Sequence, residues 1–481
     1  MAGWPDGNTT LMVAIHPEMR AGTGSQAPVR EAVRTGLRWQ VHVYLFCTLM
    51  PMGMSLGPVV MTSQRLLLLM LIIPTMIGIF SGRYGKLILA DLLFPLHILW
   101  ILIALYANNP DRAIEQTGSV GLEFLGGYAI GRAYIRTPSD FTAFCRTIVV
   151  VILIMLPFAV FETLTGRALI LETFRKIPGV FSSGLANSSP RLGLERVQLT
   201  LPHPIHFGLF CSTVVPLVIV GLKDVVSDAR RFLYAGIAIL CGFLSLSSGA
   251  FLAVALQLGL IIWAFLFRHN PKRWRILIWL GVAAYIVVDL LSNRSPYQVF
   301  LSYATFNAHT AYWRNIILDW GISNVIGSAE RGIPGSPWVG LGFNDWIRPS
   351  FMHSGSMDNF WLVMAVRYGL PGFLLLAVGY LAGILKIMLR DFTADPALAR
   401  IRLAWVFLFL GTTFTLSTVH VWLSLYSYIF FLFGAGMWMV HATPRDAEGA
   451  VTDEDEAAPA GPASRFTRFR SGSAQGRFAR G

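Results

Sequence analysis

Cations without matching acids are the first chemical feature of this sequence. Between Thr165 and Pro204 stand Arg167, Arg175, Lys176, Arg191 and Arg196, opposed only by Glu172 and Glu195. A guanidinium presents a planar fork of N–H donors that fits a phosphate or carboxylate bidentately, so the excess reads as an anion site. The competing reading is that these side chains cap helix C-termini or meet lipid headgroups. A second long segment, Ser292–Gly369, adds Arg314, His353 and Asp358. A neutral imidazole accepts a proton near pH 7, and His353 stands just before a helix expected to start with Ser356 as N-cap and Asp358 in its first turn. The positive end of that helix favours the neutral ring. Equally, a histidine three residues before an N-cap can serve only to hydrogen-bond the loop backbone.

Other chemistries lack their residues. Gly82-Arg83-Tyr84-Gly85-Lys86 has the wrong spacing for a phosphate-binding loop and lacks the following Ser or Thr, which disfavours ATP hydrolysis. Asp453 and Asp455 have the spacing of a metal–nucleotide-sugar motif, but they fall in a low-complexity tail and read as a solvated charge run. His203 and His206 are spaced as metal ligands, yet Pro204 separates them and no acid is close. Helix-entry packing and hydrogen bonding is the favoured reading, and no metal is expected. Cys47, Cys145, Cys211 and Cys241 all lie in apolar runs, where cysteine is a small hydrophobe.

The elements that must position these residues are membrane helices. Of 481 residues, 54% are hydrophobic and 13% charged, and mean hydropathy is +0.58, too apolar to coat a soluble globule of this size. We place spans near Val41–Val60, Leu66–Phe80, Leu87–Tyr106, Ser119–Ile135, Ile148–Leu164, Ile205–Leu222, Phe232–Leu246, Ala250–Phe267, Arg275–Leu291, Leu370–Leu389, Leu403–Val419 and Trp422–Val440. The expectation is an all-α polytopic protein with about twelve transmembrane helices. Basic residues collect in every second connection: Arg30/Arg34/Arg38, Arg83/Lys86, Arg132/Arg136/Arg146, Lys223/Arg230/Arg231, Arg268/Lys272/Arg273/Arg275 and Lys386/Arg390/Arg400/Arg402. By the positive-inside rule these connections and both termini are cytoplasmic, while residues 165–204 and 292–369 form two long periplasmic loops. The net charge of +12 is therefore a topology signal, and no nucleic-acid partner is expected. Residues 1–37 and 443–481 read as disordered cytoplasmic ends flanking a membrane domain over 38–442, and no cleaved signal peptide is expected. Within 292–369 the sequence predicts an amphipathic helix around His309–Trp320, a Gly/Pro-rich stretch Gly327–Gly342, and the Ser356 helix stopped by Gly369 and Pro371.

Three stretches resemble the O-antigen ligase and O-antigen/exopolysaccharide polymerase superfamily, membrane glycosyltransferases of GT-C-like architecture. They are Arg196-Val-Gln-Leu-Thr-Leu-Pro-His-Pro-Ile-His-Phe-Gly208; Leu244-Ser-Leu-Ser-Ser-Gly-Ala250; and Tyr312-Trp-Arg314 with Gly340-Leu-Gly342, His353 and Asp358-Asn-Phe-Trp-Leu-Val-Met-Ala-Val-Arg-Tyr-Gly-Leu-Pro-Gly372. With the helix count, the likeness spans about Val41 to Val440. It departs where family members often read Ser-Arg-Gly and this chain reads Ser247-Ser248-Gly249, and where Ser-Gly-Ser-Met-Asp separates His353 from Asn359.

The resemblance implies transfer from undecaprenyl-pyrophosphate-linked oligosaccharide at the periplasmic face of a bacterial inner membrane, without metal or cofactor. It implies that Arg196, supported by Arg191 and Arg314, contacts the pyrophosphate, and that His353, or else Asp358, is the general base. Arg294 or Arg348 would replace the arginine missing at Ser248. Expected partners are the lipid-linked donor, a glycan or lipid acceptor, membrane lipids, and polysaccharide assembly and export proteins. A polymerase is favoured over a ligase because the Asp358–Pro371 segment looks closest to exopolysaccharide polymerases. A lipid-oligosaccharide flippase or other transporter and a non-catalytic assembly scaffold are the competing classes.

Overall fold

Apolar runs as long as the bilayer is thick can satisfy their backbone only within themselves, and they become helices. A computed structural model describes residues 36–56, 59–186, 188–303 and 308–443, with the backbone alone at 56, 59, 301–303 and 308–311. In chain order these residues form α1 (Trp39–Leu49), a hairpin of β1 (Gly53–Leu56) and β2 (Val59–Thr62), α2 (Ser63–Phe80), α3 (Leu89–Asn108), α4 (Pro110–Tyr134) and α5 (Pro138–Thr165). Then come α6 (Leu169–Arg175), α7 (Pro204–Ile219), α8 (Asp228–Leu244), α9 (Ser248–Leu266), α10 (Arg273–Leu291), α11 (Pro296–Tyr303) and α12 (Ala308–Ile326). The chain closes with α13 (Phe360–Met388), α14 (Pro396–Leu416), α15 (Leu423–Gly436) and a 3-10 turn, Met437–Val440.

Eight of these helices are long and apolar enough to cross a membrane: α2, α3, α5, α9, α10, α13, α14, and α15 with its 3-10 extension. The bundle also turns Leu69, Met70, Ile73 and Ile77 of α2 outward, and α10 has no buried residue. Apolar side chains facing away from the protein require an apolar solvent, so the chain is a multi-pass helical membrane protein.

The tightest pair is α4 with α15. Gly127 and Gly131, four residues apart, lie against the main-chain oxygens of Ser427 and Phe431, and Gly434 lies against Tyr128 O, so a Cβ at any of the three would collide with backbone. Around this contact Phe94, Phe124, Tyr380, Phe430 and Phe433 pack edge to face or stacked, filling the centre of the bundle. Two pairs of buried charges link helices. Arg65 meets Glu123 at 2.8 Å, while Asp91 accepts from Tyr128 Oη at 2.5 Å and lies 3.5 Å from Arg132.

The two ends of the bundle differ. At the basic end, arginines take up carbonyls left over at helix C-termini and turns: Arg231 bonds Ile219 O, Arg400 bonds Lys223 O, and Arg390 bonds Ala442 O. At the opposite, loop end gather α6, α12 and the segments 176–203 and 327–359. Asn109, capping α4, accepts from Phe343 N–H, and Glu162 near the end of α5 accepts from the N–H groups of Gln198 and Leu199.

Two expectations are corrected. The span Val41–Val60 is helical only to Leu49; Pro51 cannot extend the helix, and Gly53–Leu56 instead pairs antiparallel with Val59–Thr62. The helix expected from Ser356 starts at Phe360, capped by Asn359, whose side chain accepts from Leu362 N–H at 3.1 Å. Gly369 and Pro371 break the helix where expected, so that α13 is two helices meeting at a kink. Gly369 has φ 70° and ψ 178°, and a Cβ there would strike the Trp338 carbonyl, while the displaced Leu370 N–H bonds Pro337 O. The expected helix around His309–Trp320 corresponds to α12. The disorder expected of residues 1–37 and 443–481 concerns segments that, apart from residues 36, 37 and 443, lie outside the described residues.

Candidate functional site

Two cations of the first long segment, Arg191 and Arg196, meet at the α8–α9 turn, while Arg167 pairs with Glu172. The last carbonyls of a helix have no intrahelical donor. Here Arg196 Nε donates to Ser245 O at 3.2 Å, Arg191 Nη1 donates to Leu246 O at 2.9 Å, and Val197 N–H bonds Leu244 O. The strap 191–197 thus lies along the turn that contains Ser247 and Ser248, joining two of the three stretches singled out in the sequence. Capping accounts for one N–H of each guanidinium, which carries five. Burial, and then the like charge of Arg191, lower the Arg196 pKa to about 10.

Beside this strap a cavity of about 370 Å³ opens at the loop end, lined by His203, Asp358, Arg367, His420 and Trp422 together with residues 342–346. Each arrives for a local reason. His203 is the N-cap of α7, its Nδ1 accepting from Ile205 N–H, which is the helix-entry role expected for it. Asp358 immediately precedes the Asn359 cap of α13. Phe360 N–H bonds Val419 O, drawing the start of α13 against the α14–α15 connection and bringing His420 and Trp422 alongside. The His420 ring stacks on Phe360 and on Trp422. Arg367 lies over the Phe343 ring at 5.0 Å, held by Gly342 N–H on its own carbonyl.

The electrostatics tie strap and cavity together. Arg314 on α12 is 8% exposed, and its Nε and Nη1 have no hydrogen-bond partner among the described residues. Burial lowers its pKa, Asp358 opposes that shift, and Arg191 adds to it. His203 is pushed down to about 4 by burial and then by Arg196, with Asp358 opposing and Arg191 adding. His420 is pushed down to about 3 by burial and then by Arg367. Arg191, Arg196, Arg314 and Arg367 therefore share one neighbourhood with Asp358, the cavity's other carboxylate, Asp345, being paired with Arg348, and both imidazoles are neutral at pH 7. Such a set neutralises an anion that brings several charges, and it offers unprotonated oxygen and nitrogen acceptors next to them.

Of the residues singled out in the sequence, Arg191, Arg196, Arg314 and Asp358 come together here. His353 does not join them: it is exposed on the loop before Asp358 and does not line the cavity. Arg348 is paired with Asp345, and Arg294 is exposed. Arg367 and His420 were not anticipated as site residues. Their signal was a charged or polar side chain at the same end of successive apolar runs, diluted by the aliphatic residues around it. Among the described residues no group of three or more His, Cys, Asp or Glu is placed to hold a metal ion. Comparison with protein-family models and with curated proteins finds no match for the chain.

Proposed function

We propose that the protein is a membrane glycosyltransferase that polymerises undecaprenyl-pyrophosphate-linked oligosaccharide units into O-antigen or exopolysaccharide. The observation that carries this reading is the neighbourhood of four arginines and Asp358 beside an open cavity, at the end of the bundle away from the basic connections. Lys and Arg in short loops mark the cytoplasmic side. The reading accordingly puts the cavity on the periplasmic side of the inner membrane, with twelve crossings made by α1–α5, α7–α10 and α13–α15.

In the proposed reaction an acceptor hydroxyl oxygen attacks the anomeric carbon of the lipid-linked sugar as the bond from that carbon to the phosphate oxygen breaks. The electron pair leaves with the lipid pyrophosphate, whose growing charge Arg196, Arg191, Arg314 and Arg367 neutralise. Asp358, which lines the cavity, takes the hydroxyl proton. His353 stands outside this scheme. A transporter would carry its substrate through the middle of the membrane, and there the bundle is filled by packed aromatic rings.

Glycan profiles of a strain lacking this chain test polymerase against ligase. Single-unit glycans on an otherwise complete acceptor support polymerisation; long lipid-linked chains accumulating without transfer mean a ligase.

A further inference from the structure

At the basic end, far from the candidate site, lies a second cavity of about 460 Å³ between the start of α3, the α4–α5 connection and the 3-10 turn after α15. Its polar lining is rich in donors, among them Lys86, Arg132, Arg136, Tyr84, the Trp438 indole and His441, with no carboxylate among the lining residues. Arg132 is 2% exposed and anchored by Tyr84 O, Lys86 O and Asp91, but its Nε has no partner among the described residues; nor has Trp438 Nε1. Two buried N–H groups without acceptors, in a cavity ringed by cations, call for an anionic acceptor. Lys386 and Arg390 extend the positive field: after burial, they act with Lys86 and Arg132 to lower the pKa of His441.

The position of this cavity selects the kind of anion. Lys86 stands just before α3, Pro138 opens α5, and Met437–Val440 ends the last span, so the cavity lies at membrane-surface depth. Exposed Phe80, Leu87 and Leu89 beside Lys86 offer apolar surface for acyl chains, and Tyr84 and Trp438 are the aromatic types that favour the interface. We infer that this cavity binds the headgroup phosphate of an anionic phospholipid, a site separate from the one that takes the lipid-linked glycan. Lys86, Arg136 and Trp438 hold the phosphate, and Arg132, fixed to Asp91, backs it.

Native mass spectrometry of the full chain, released from micelles containing phosphatidylglycerol and phosphatidylcholine, tests this. The wild type is expected to retain phosphatidylglycerol preferentially. Lys86→Gln with Arg136→Gln should weaken that retention by about tenfold or more, as two interfacial cations warrant. Trp438→Phe keeps the ring and removes one donor, and it should weaken retention several-fold; it serves if the double variant fails to fold. Equal retention of the two lipids, or unchanged phosphatidylglycerol retention in the variants, overturns the site. Millimolar inorganic phosphate that displaces the lipid and gives the same thermal protection would make it a free-anion site and overturn the lipid assignment. Asp453→Asn, Glu454→Gln, Asp455→Asn and Glu456→Gln together should leave retention unchanged; a several-fold rise would make the acidic tail the occupant.

Discussion

Replacing Arg314 by Met separates a residue kept for folding from one kept for a ligand. Arg314 is 8% exposed, and two of its guanidinium nitrogens lack protein partners among the described residues. Burying such a charge costs several kcal/mol, and the only carboxylate acting on it, Asp358, is itself partly open to solvent. Methionine keeps most of the volume and removes the charge without stranding a buried partner. The ligand-free variant should therefore be more stable by about 1–3 kcal/mol, within the range seen when buried ionic groups are replaced by apolar ones. At roughly 2–4 °C per kcal/mol for a larger domain, that is a rise of several degrees in melting temperature. Turnover should fall by about 10²–10³-fold, the usual loss when one donor to a developing anion is removed. The assay pairs thermal unfolding by intrinsic fluorescence in detergent with glycan transfer per folded molecule. A lower melting temperature with turnover lost only in proportion to folded protein would refute the reasoning and make Arg314 a structural residue.

Four further outcomes follow from the same geometry. Arg196→Lys should express and fold but lose turnover, because an ammonium cannot both bond Ser245 O and offer a bidentate fork; near-normal turnover would leave capping as its whole role. Asp358→Asn should lose about 10²–10⁴-fold in turnover with donor binding intact, while His353→Ala should stay within a few-fold of wild type, and the reverse order would restore His353 as the base. Cysteines placed at exposed Ser189 and Glu330 should react with an impermeant reagent in intact spheroplasts, and one at exposed Arg230 should not. His420 has a folded-state pKa below that of the unfolded chain, so the unfolded state takes up protons first as pH falls. Stability is lost from about pH 6.5 down towards about pH 3, and His420→Gln should flatten that part of the melting-temperature profile.

What was legible in the sequence followed from solvent. Runs of apolar residues separated by alternately basic connections define the helices and both ends of the bundle, since a bilayer leaves the backbone few options. Less legible was anything decided by tertiary hydrogen bonds. Ser356 and Asn359 are both good N-caps, and Asn359 wins because Phe360, Leu362 and Val363 are buried and Phe360 N–H finds Val419 O, a partner some sixty residues away in sequence. Gly369 and Pro371 carry the local signature of a helix end and do break the helix; that a second helix resumes at once rests on the Pro337 carbonyl, which takes the freed Leu370 N–H. The site divides the same way. Arg191, Arg196 and Arg314 announced themselves as cations in segments too long to be turns, whereas His420 and Arg367 sit within apolar runs and gain their place only when α13 docks on the α14–α15 connection.

Reconstitution of the purified chain with lipid-linked repeat units as the only other solute tests the central claim most directly. Products are resolved by length, with and without a chelator, and the sidedness of the donor is followed in parallel. Formation of longer lipid-linked glycans without any added protein, reduced at least a hundredfold by Arg314→Met, is the predicted result. Donor that crosses the bilayer but never changes length would contradict the account and make the protein a transporter of the same lipid.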